Sequence, residues 1–185
     1  MKRLFAAIKI HPSPNYLGVF NAVSSSLRHE RIKWVEPENM HLTLKFFGET
    51  DENQIPAICK ALETAAAQSN PFTINIADTG IFGSRYDPKV IWFGIRKLSE
   101  LDSLAKNLFT ELEKSGWKPD RQNFVPHLTI GRIKELRDKT LFQQIISKYS
   151  TVEIQEEKVT EVTMYESILR PEGPVYVNLF SAKLK

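Results

Sequence analysis

The tetrapeptide His-Leu-Thr-aliphatic occurs twice in this chain, as His41-Leu42-Thr43-Leu44 and, 86 positions on, as His127-Leu128-Thr129-Ile130. Two of the four histidines are thereby committed to one local pattern, which chance explains poorly. Side chains alternate faces along a strand, so a His and a Thr at i and i+2 point one way and the two aliphatics point the other. Each motif therefore asks for a strand with one chemical face and one buried face. The fold has to provide two such strands.

The surroundings of the motifs repeat as well. Residues 3–10 read as a strand ending at His11-Pro12, and residues 14–29 place Leu17, Phe20, Val23 or Ser24, and Leu27 at helical spacing. The first motif, 41–47, reads as a strand closed by Gly48. A helix at about 52–68 follows, carrying Ile55, Ile58, Leu62 and Ala65 on one stripe, with Pro56 fitting only in its first turn. Strands at 72–82 and 89–96 flank the turn-rich segment 83–88. Ser99, with Asp102 three residues on, reads as the cap of a helix striped by Leu101, Leu104, Ala105, Leu108 and Leu112 and ended by Gly116. Then come the second motif strand at 127–132, a helix at about 138–149, and strands at 151–156, 158–169 and 175–183, the last two joined by Pro171-Glu172-Gly173-Pro174.

Each half runs strand, helix, Trp-containing connection (Trp34; Trp117), motif strand, helix, strand. This is a degenerate duplication of one α+β unit, roughly 3–84 and 88–183, within a single bilobal domain spanning 1–185; two copies are too few for a solenoid. Two related lobes facing each other bring the two histidines together across a shared cleft.

Composition narrows the field. The chain has 185 residues, 42% of them hydrophobic, enough for a real core. A net charge of +3 is compatible with a phosphate-bearing ligand without arguing for one. The single cysteine, Cys59, excludes an internal disulfide and any cysteine-cluster metal site, and its apolar neighbours make it a structural thiol. The opening Met1-Lys2-Arg3 and Leu4 to Ile8 are too short a run for a signal peptide. No stretch approaches membrane-spanning length, so a cytoplasmic location is expected.

A lone His-x-Thr on a strand is ordinarily a hydrogen-bonded core histidine; the pair reverses that reading. Two imidazoles with ordinary pKa values near ~6.5 can divide acid and base roles at neutral pH. The matching reaction is in-line displacement at phosphorus, with one imidazole taking a proton from the attacking oxygen and the other giving one to the departing oxygen. Thr43 and Thr129 would donate to the non-bridging oxygens as charge builds there. The scheme requires neither a metal nor a nucleotide cofactor. Zinc would need a third ligand, and neither motif has HExxH spacing. There is no P-loop, and Lys118-Pro119-Asp120-Arg121 only half matches the KxDG of adenylating ligases.

Paired HxT-hydrophobic motifs at this spacing, in a chain of this length, resemble the two-histidine (2H, LigT-like) phosphoesterase superfamily. More narrowly, the stretch from His41 to Glu49 and the stretch from Pro126 to Arg132 resemble the RNA 2′,3′-cyclic phosphodiesterase group, also labelled 2′-5′ RNA ligases. The segment Ser167 to Tyr176 is similar to that group's closing hairpin, and Phe47 stands where Leu is commoner in the group. The resemblance implies two antiparallel sheets facing a central cleft with helices outside. It implies opening of an RNA terminal 2′,3′-cyclic phosphate to a 2′-phosphomonoester, with His41 as proton donor and His127 as proton acceptor. The residues alone fix the pair and leave the two roles exchangeable. A 5′-hydroxyl in place of water at the same phosphorus would give ATP-independent 2′-5′ ligation as a side activity.

Other residues are candidates of lower rank. Lys45 shares strand parity with His41 and Thr43, so it can face the cleft and meet phosphate. Arg132 matches the family's HxTxxR arrangement, in which the arginine contacts phosphate; parity from His127 points it away unless a bulge near Gly131 re-aims it. Phe124 can stack on a nucleobase or pack at a strand start. Tyr165, Arg170 and Tyr176 can rim the cleft, and His11 and His29 are surface residues outside the chemistry. The expected partners are RNA with 2′,3′-cyclic phosphate ends, such as tRNA halves, or small cyclic nucleotides such as an ADP-ribose cyclic phosphate. A monomer without an obligate protein partner is expected. A catalytically silent RNA-binding or nucleotide-binding module of the same fold is the alternative from a different class.

Overall fold

The apolar alternations of the sequence become nine strands and four helices in the computed structural model, which describes residues 1–118 and 124–185. In chain order these are β1 (Lys2–Lys9), α1 (Pro14–Ser26), β2 (Arg31–Trp34), β3 (His41–Thr50), α2 (Ile55–Ala67), β4 (Phe72–Ser84), β5 (Asp87–Ile95), α3 (Ser99–Lys114), β6 (His127–Glu135), α4 (Lys139–Lys148), β7 (Glu153–Val159), β8 (Glu161–Leu169) and β9 (Pro174–Lys183). Short 3₁₀ turns at Pro37–Asn39 and Glu52–Gln54 lead into β3 and α2.

The helix starts follow side-chain chemistry. The Ser13 hydroxyl accepts the Tyr16 N–H ahead of Pro14, and the Asp138 carboxylate accepts the Leu141 N–H, so both satisfy donors that a helix leaves open. Helix α3 departs from expectation. Ser99 is its first helical residue and bonds Glu100 instead of capping, while Leu98 occupies the cap position without a side-chain bond. The helix is held instead by its buried stripe of Leu101, Leu104, Ala105, Leu108 and Leu112, and ends where Gly116 takes a φ of +89°.

All strand pairs are antiparallel and form two sheets, one in the order β3-β1-β8-β9 and one in the order β2-β6-β5-β4-β7. Helix α2 covers the first sheet at β8 and β9 and pairs with α3, while α1 and α4 cover the second sheet. The motif strands β3 and β6 approach each other between the sheets. The α+β architecture with two antiparallel sheets and outer helices is the one expected. Its wiring differs from one lobe per half. Under the 86-residue shift, β3-β1-β8 of the first sheet matches β6-β5-β4 of the second, so each sheet takes its third strand from the opposite half of the chain. Strand β2 falls where the sequence reads as a connection, four residues being too few to show a period, yet it pairs with β6 and closes the second sheet.

Candidate active site

Leu42, Leu44, Leu128 and Ile130 are buried, while His41, Thr43, His127 and Thr129 remain partly accessible on the opposite faces of their strands. The two histidines are held in the same way. His41 Nδ1 donates to the carbonyl of Asn39 at 2.6 Å, and His127 Nδ1 donates to the carbonyl of Val125 at 2.7 Å. A carbonyl only accepts, so each bond puts the proton on Nδ1 and leaves Nε2 as the free basic nitrogen of a neutral ring. Asn39 is itself tied across the fold, its side-chain amide donating to the Pro174 carbonyl at 3.2 Å.

Both motif strands carry a β-bulge immediately after the threonine. In β3, Thr43 pairs with Ala7 and Lys45 with Ala6, which leaves Leu44 as the extra residue; in β6, Thr129 pairs with Trp92 and Gly131 with Ile91, which leaves Ile130 extra. An extra residue inverts the parity of everything after it. Arg132 is thereby returned to the histidine face, and its charge reaches His41, His127 and Tyr176. The same inversion corrects the reading of Lys45. It pairs with Ala6, whose side chain belongs to the core, and is only 7% exposed, so it is turned from the His41 face. The position of β3 that does face the cleft after the bulge is Phe46, 62% exposed and in ring contact with Phe5. Phe46 and Arg132 are related by the 86-residue shift, a signal the sequence held but parity counting hid.

Aromatic rings pack both imidazoles. His41 lies 4.9 Å from the Phe5 ring and edge-on to Tyr176 at 5.2 Å, and His127 meets Phe82 edge-on at 4.6 Å. Tyr165 stacks on Phe5 behind them at 5.3 Å. This burial is the first cause of a depressed His41 pKa, pushed down to about 4; the Asn39 carbonyl opposes it, and the positive charges of Lys9, Arg132 and His127 add to it. His127 is also lowered, by burial first; the Val125 carbonyl opposes that, and the charge of Arg132 adds a smaller lowering. Strands β3 and β6 are in contact, which puts the fields of His127 and Arg132 within reach of His41.

Arg132 makes no ion pair among the described residues, and the Thr43 and Thr129 hydroxyls make no hydrogen bond there. Two Nε2 atoms, two hydroxyls and a guanidinium, unpaired among the described residues, thus lie on contacting strands of two sheets, a set suited to an anion with proton transfer on either side. Phe124 sits to one side, against Phe109 of α3 at 6.0 Å. His11 is engaged with Glu157 at 2.8 Å. Of the Lys118–Arg121 stretch, residues 119–121 lie outside the described residues. Phe5, Phe82 and Trp92 were missed as neighbours of the site, since single aromatics in apolar strands carry no mark of which face they serve.

Comparison with known proteins places this geometry. The model for LigT-like phosphoesterases matches the chain in two successive stretches, 10–92 and 96–176. The RNA 2′,3′-cyclic phosphodiesterase of Methanothermobacter thermautotrophicus is 35% identical over 149 residues, 80% of each chain. That of Aquifex aeolicus is 36% identical over 173 residues, covering 87% of this chain and 92% of its own. Among solved structures, TT0787 of Thermus thermophilus superposes with a TM-score of 0.80 at 27% identity, over 98% of this chain and 97% of that one. E. coli LigT complexed with 3′-AMP gives 0.75 at 25% identity, over 100% and 98%. With two HxT strands, matched bulges and matched imidazole anchors in a two-sheet cleft, the chain belongs to the LigT-like phosphoesterase family.

Proposed function

We propose that the cleft hydrolyses RNA terminal 2′,3′-cyclic phosphates to 2′-phosphomonoesters without a metal, using the two histidines as a proton-transfer pair. The observation that carries this reading is the matched pair of Nδ1–carbonyl bonds, which turn the two Nε2 atoms away from the backbone, beside an Arg132 that makes no ion pair among the described residues. His127 Nε2 takes a proton from water, whose oxygen attacks phosphorus. The P–O3′ bond breaks in line, and His41 Nε2 gives a proton to the departing O3′. Thr43, Thr129 and Arg132 donate to the non-bridging oxygens. Burial leaves His41 without its proton in the free protein at neutral pH, so the donor role requires the proton to be taken up with the substrate. The phosphate anion offsets the positive field that helps depress His41. A 5′-hydroxyl can replace water at the same phosphorus, giving a 2′-5′ phosphodiester without ATP; hydrolysis dominates because water is abundant.

The test is turnover of an oligoribonucleotide ending in 2′,3′-cyclic phosphate with EDTA present, the product being identified as the 2′-monophosphate. His41→Ala and His127→Ala are each expected to lose about 10²–10⁴-fold in rate. Full activity in either variant sinks the mechanism. Binding of the oligonucleotide without turnover points instead to a silent RNA-binding module, and turnover confined to ADP-ribose cyclic phosphate moves the substrate to small nucleotides.

A further inference from the structure

Beside the motif strands lies a group of residues with no part in proton transfer. A cavity of about 450 Å³ is lined by Asp78, Trp92, Gly94, Lys97, Phe124 and Val125 among others, a size within the range of ligand pockets. Gly94 stands opposite His127 in register, and Trp92 opposite Thr129. The cavity therefore begins about one strand spacing, ~5 Å, from the second motif.

Its floor is built for an indole. A Cβ added at Gly80 would fall 2.1 Å from Trp92 Cζ2, and one at Gly94 would fall 3.3 Å from Cζ3. The six-membered ring thus lies over the backbone of β4, where only glycine admits it. Asp78 on the wall is the only described non-glycine residue with a positive φ, +64°, at the bulge where β4 loses register with β5 between Ala77 and Thr79. A left-handed residue of this kind costs about 1–2 kcal/mol and is kept only where its surroundings impose it. Among the described residues the Asp78, Lys97 and Asp102 side chains make no hydrogen bond or ion pair. Among the described residues, the lining sets two carboxylates, Asp78 and Asp102, against one ammonium, Lys97, which favours a group rich in N–H donors over a phosphate.

We propose that this cavity is a nucleobase site for the terminal nucleotide of the substrate, with Trp92 stacking on the base and Asp78 reading its edge in favour of guanine; the proposal rests on the cyclic phosphodiesterase reading of the cleft. A carboxylate only accepts, and guanine presents N1–H and N2–H side by side to its two oxygens. Adenine and cytosine set a ring acceptor beside their amino group, and uracil flanks one N–H with two carbonyls. Neither edge matches two carboxylate oxygens. Stacking on Trp92 adds affinity for any base.

The experiment measures kcat and KM for the 2′,3′-cyclic phosphates of guanosine, adenosine, cytidine and uridine. The unaltered protein is expected to favour guanosine over uridine by about 5–100-fold in kcat/KM, the range of a bidentate base contact. Asp78→Asn, a residue equally able to hold a left-handed backbone, is expected to level that preference by lowering guanosine kcat/KM about 5–100-fold. Trp92→Leu is expected to raise KM for all four substrates at least about fivefold with kcat retained, as loss of stacking requires. Equal kcat/KM for the four bases, or a guanosine preference that survives Asp78→Asn, overturns the proposal while leaving hydrolysis intact. Absence of turnover with all four bases counts against the phosphodiesterase reading. In that event binding of guanosine 2′-monophosphate, followed by titration calorimetry, decides the cavity: it is expected to weaken in both variants, and unchanged affinity overturns the site.

Discussion

His41 opens an edge strand with its ring enclosed by Phe5 and Tyr176, and that enclosure has a thermodynamic signature. Its folded pKa of about 4 lies below the ordinary 6.5, so between those values the unfolded chain binds the proton and the folded chain does not. The resulting stabilisation is complete above the unfolded value and is lost as pH falls from about 6.5 to about 4, amounting to about 3 kcal/mol. Urea unfolding at pH 7 and pH 4.5 is expected to show this loss, reduced in His41→Gln. Catalysis has its own signature. Both histidines are depressed in the free protein, so both limbs of the kcat/KM profile are expected below the ordinary histidine value, and a limb above it contradicts the pairing. The bell has the same form whichever ring is the acid. A 3′-bridging phosphorothiolate separates the roles, because sulfur departs without a proton. His41→Ala is expected to recover most of its activity on it, and His127→Ala to recover none. At this scale the sequence disclosed the two histidines and threonines, whose i, i+2 spacing survives in any strand. It did not disclose Lys45 or the anchoring carbonyls of Asn39 and Val125, which depend on where a strand bulges and how a chain enters it.

The strands and helices were legible where a period had room to show itself. Helices α1 to α4 and the long strands appear within a few residues of their expected ends, because their apolar stripes span several turns or alternations. Strand β2 was not legible. Its Ile32 and Trp34 matter for what they cover, since a Cβ at Gly131 would fall 2.9 Å from Ile32 Cγ2 and 3.0 Å from the Trp34 ring. The bulges were equally hidden, because one extra residue changes no composition and disturbs alternation only locally. Two glycines permit a contrast at this scale. Gly80→Ala must displace the Trp92 ring and is expected to destabilise by about 1–3 kcal/mol. Gly18 lies in α1 with open space where a Cβ would go, so Gly18→Ala is expected to stabilise by about 0.4–1 kcal/mol. Chemical denaturation of both variants checks the pair.

For the whole molecule, duplication was readable from the repeated motif, but the exchange of third strands was not. Halves that look alike in sequence can be assembled side by side or interlaced, and no local pattern distinguishes the two. The interlaced form has a measurable consequence: β4 belongs to the first half and to the second sheet, and β8 the reverse. Fragments 1–86 and 87–185 are therefore expected to be unfolded separately and to recover circular dichroism only when mixed. The exchange also bears on motion. Counted on strands alone, the backbone passes between the sheets four times, at β1–β2, β2–β3, β3–β4 and β7–β8. Such a molecule is laced rather than hinged, and laces that hold two halves together also fix how far apart they can stand. The gap between the two imidazoles is then a property set when the chain folds, and substrate enters a width it does not have to create.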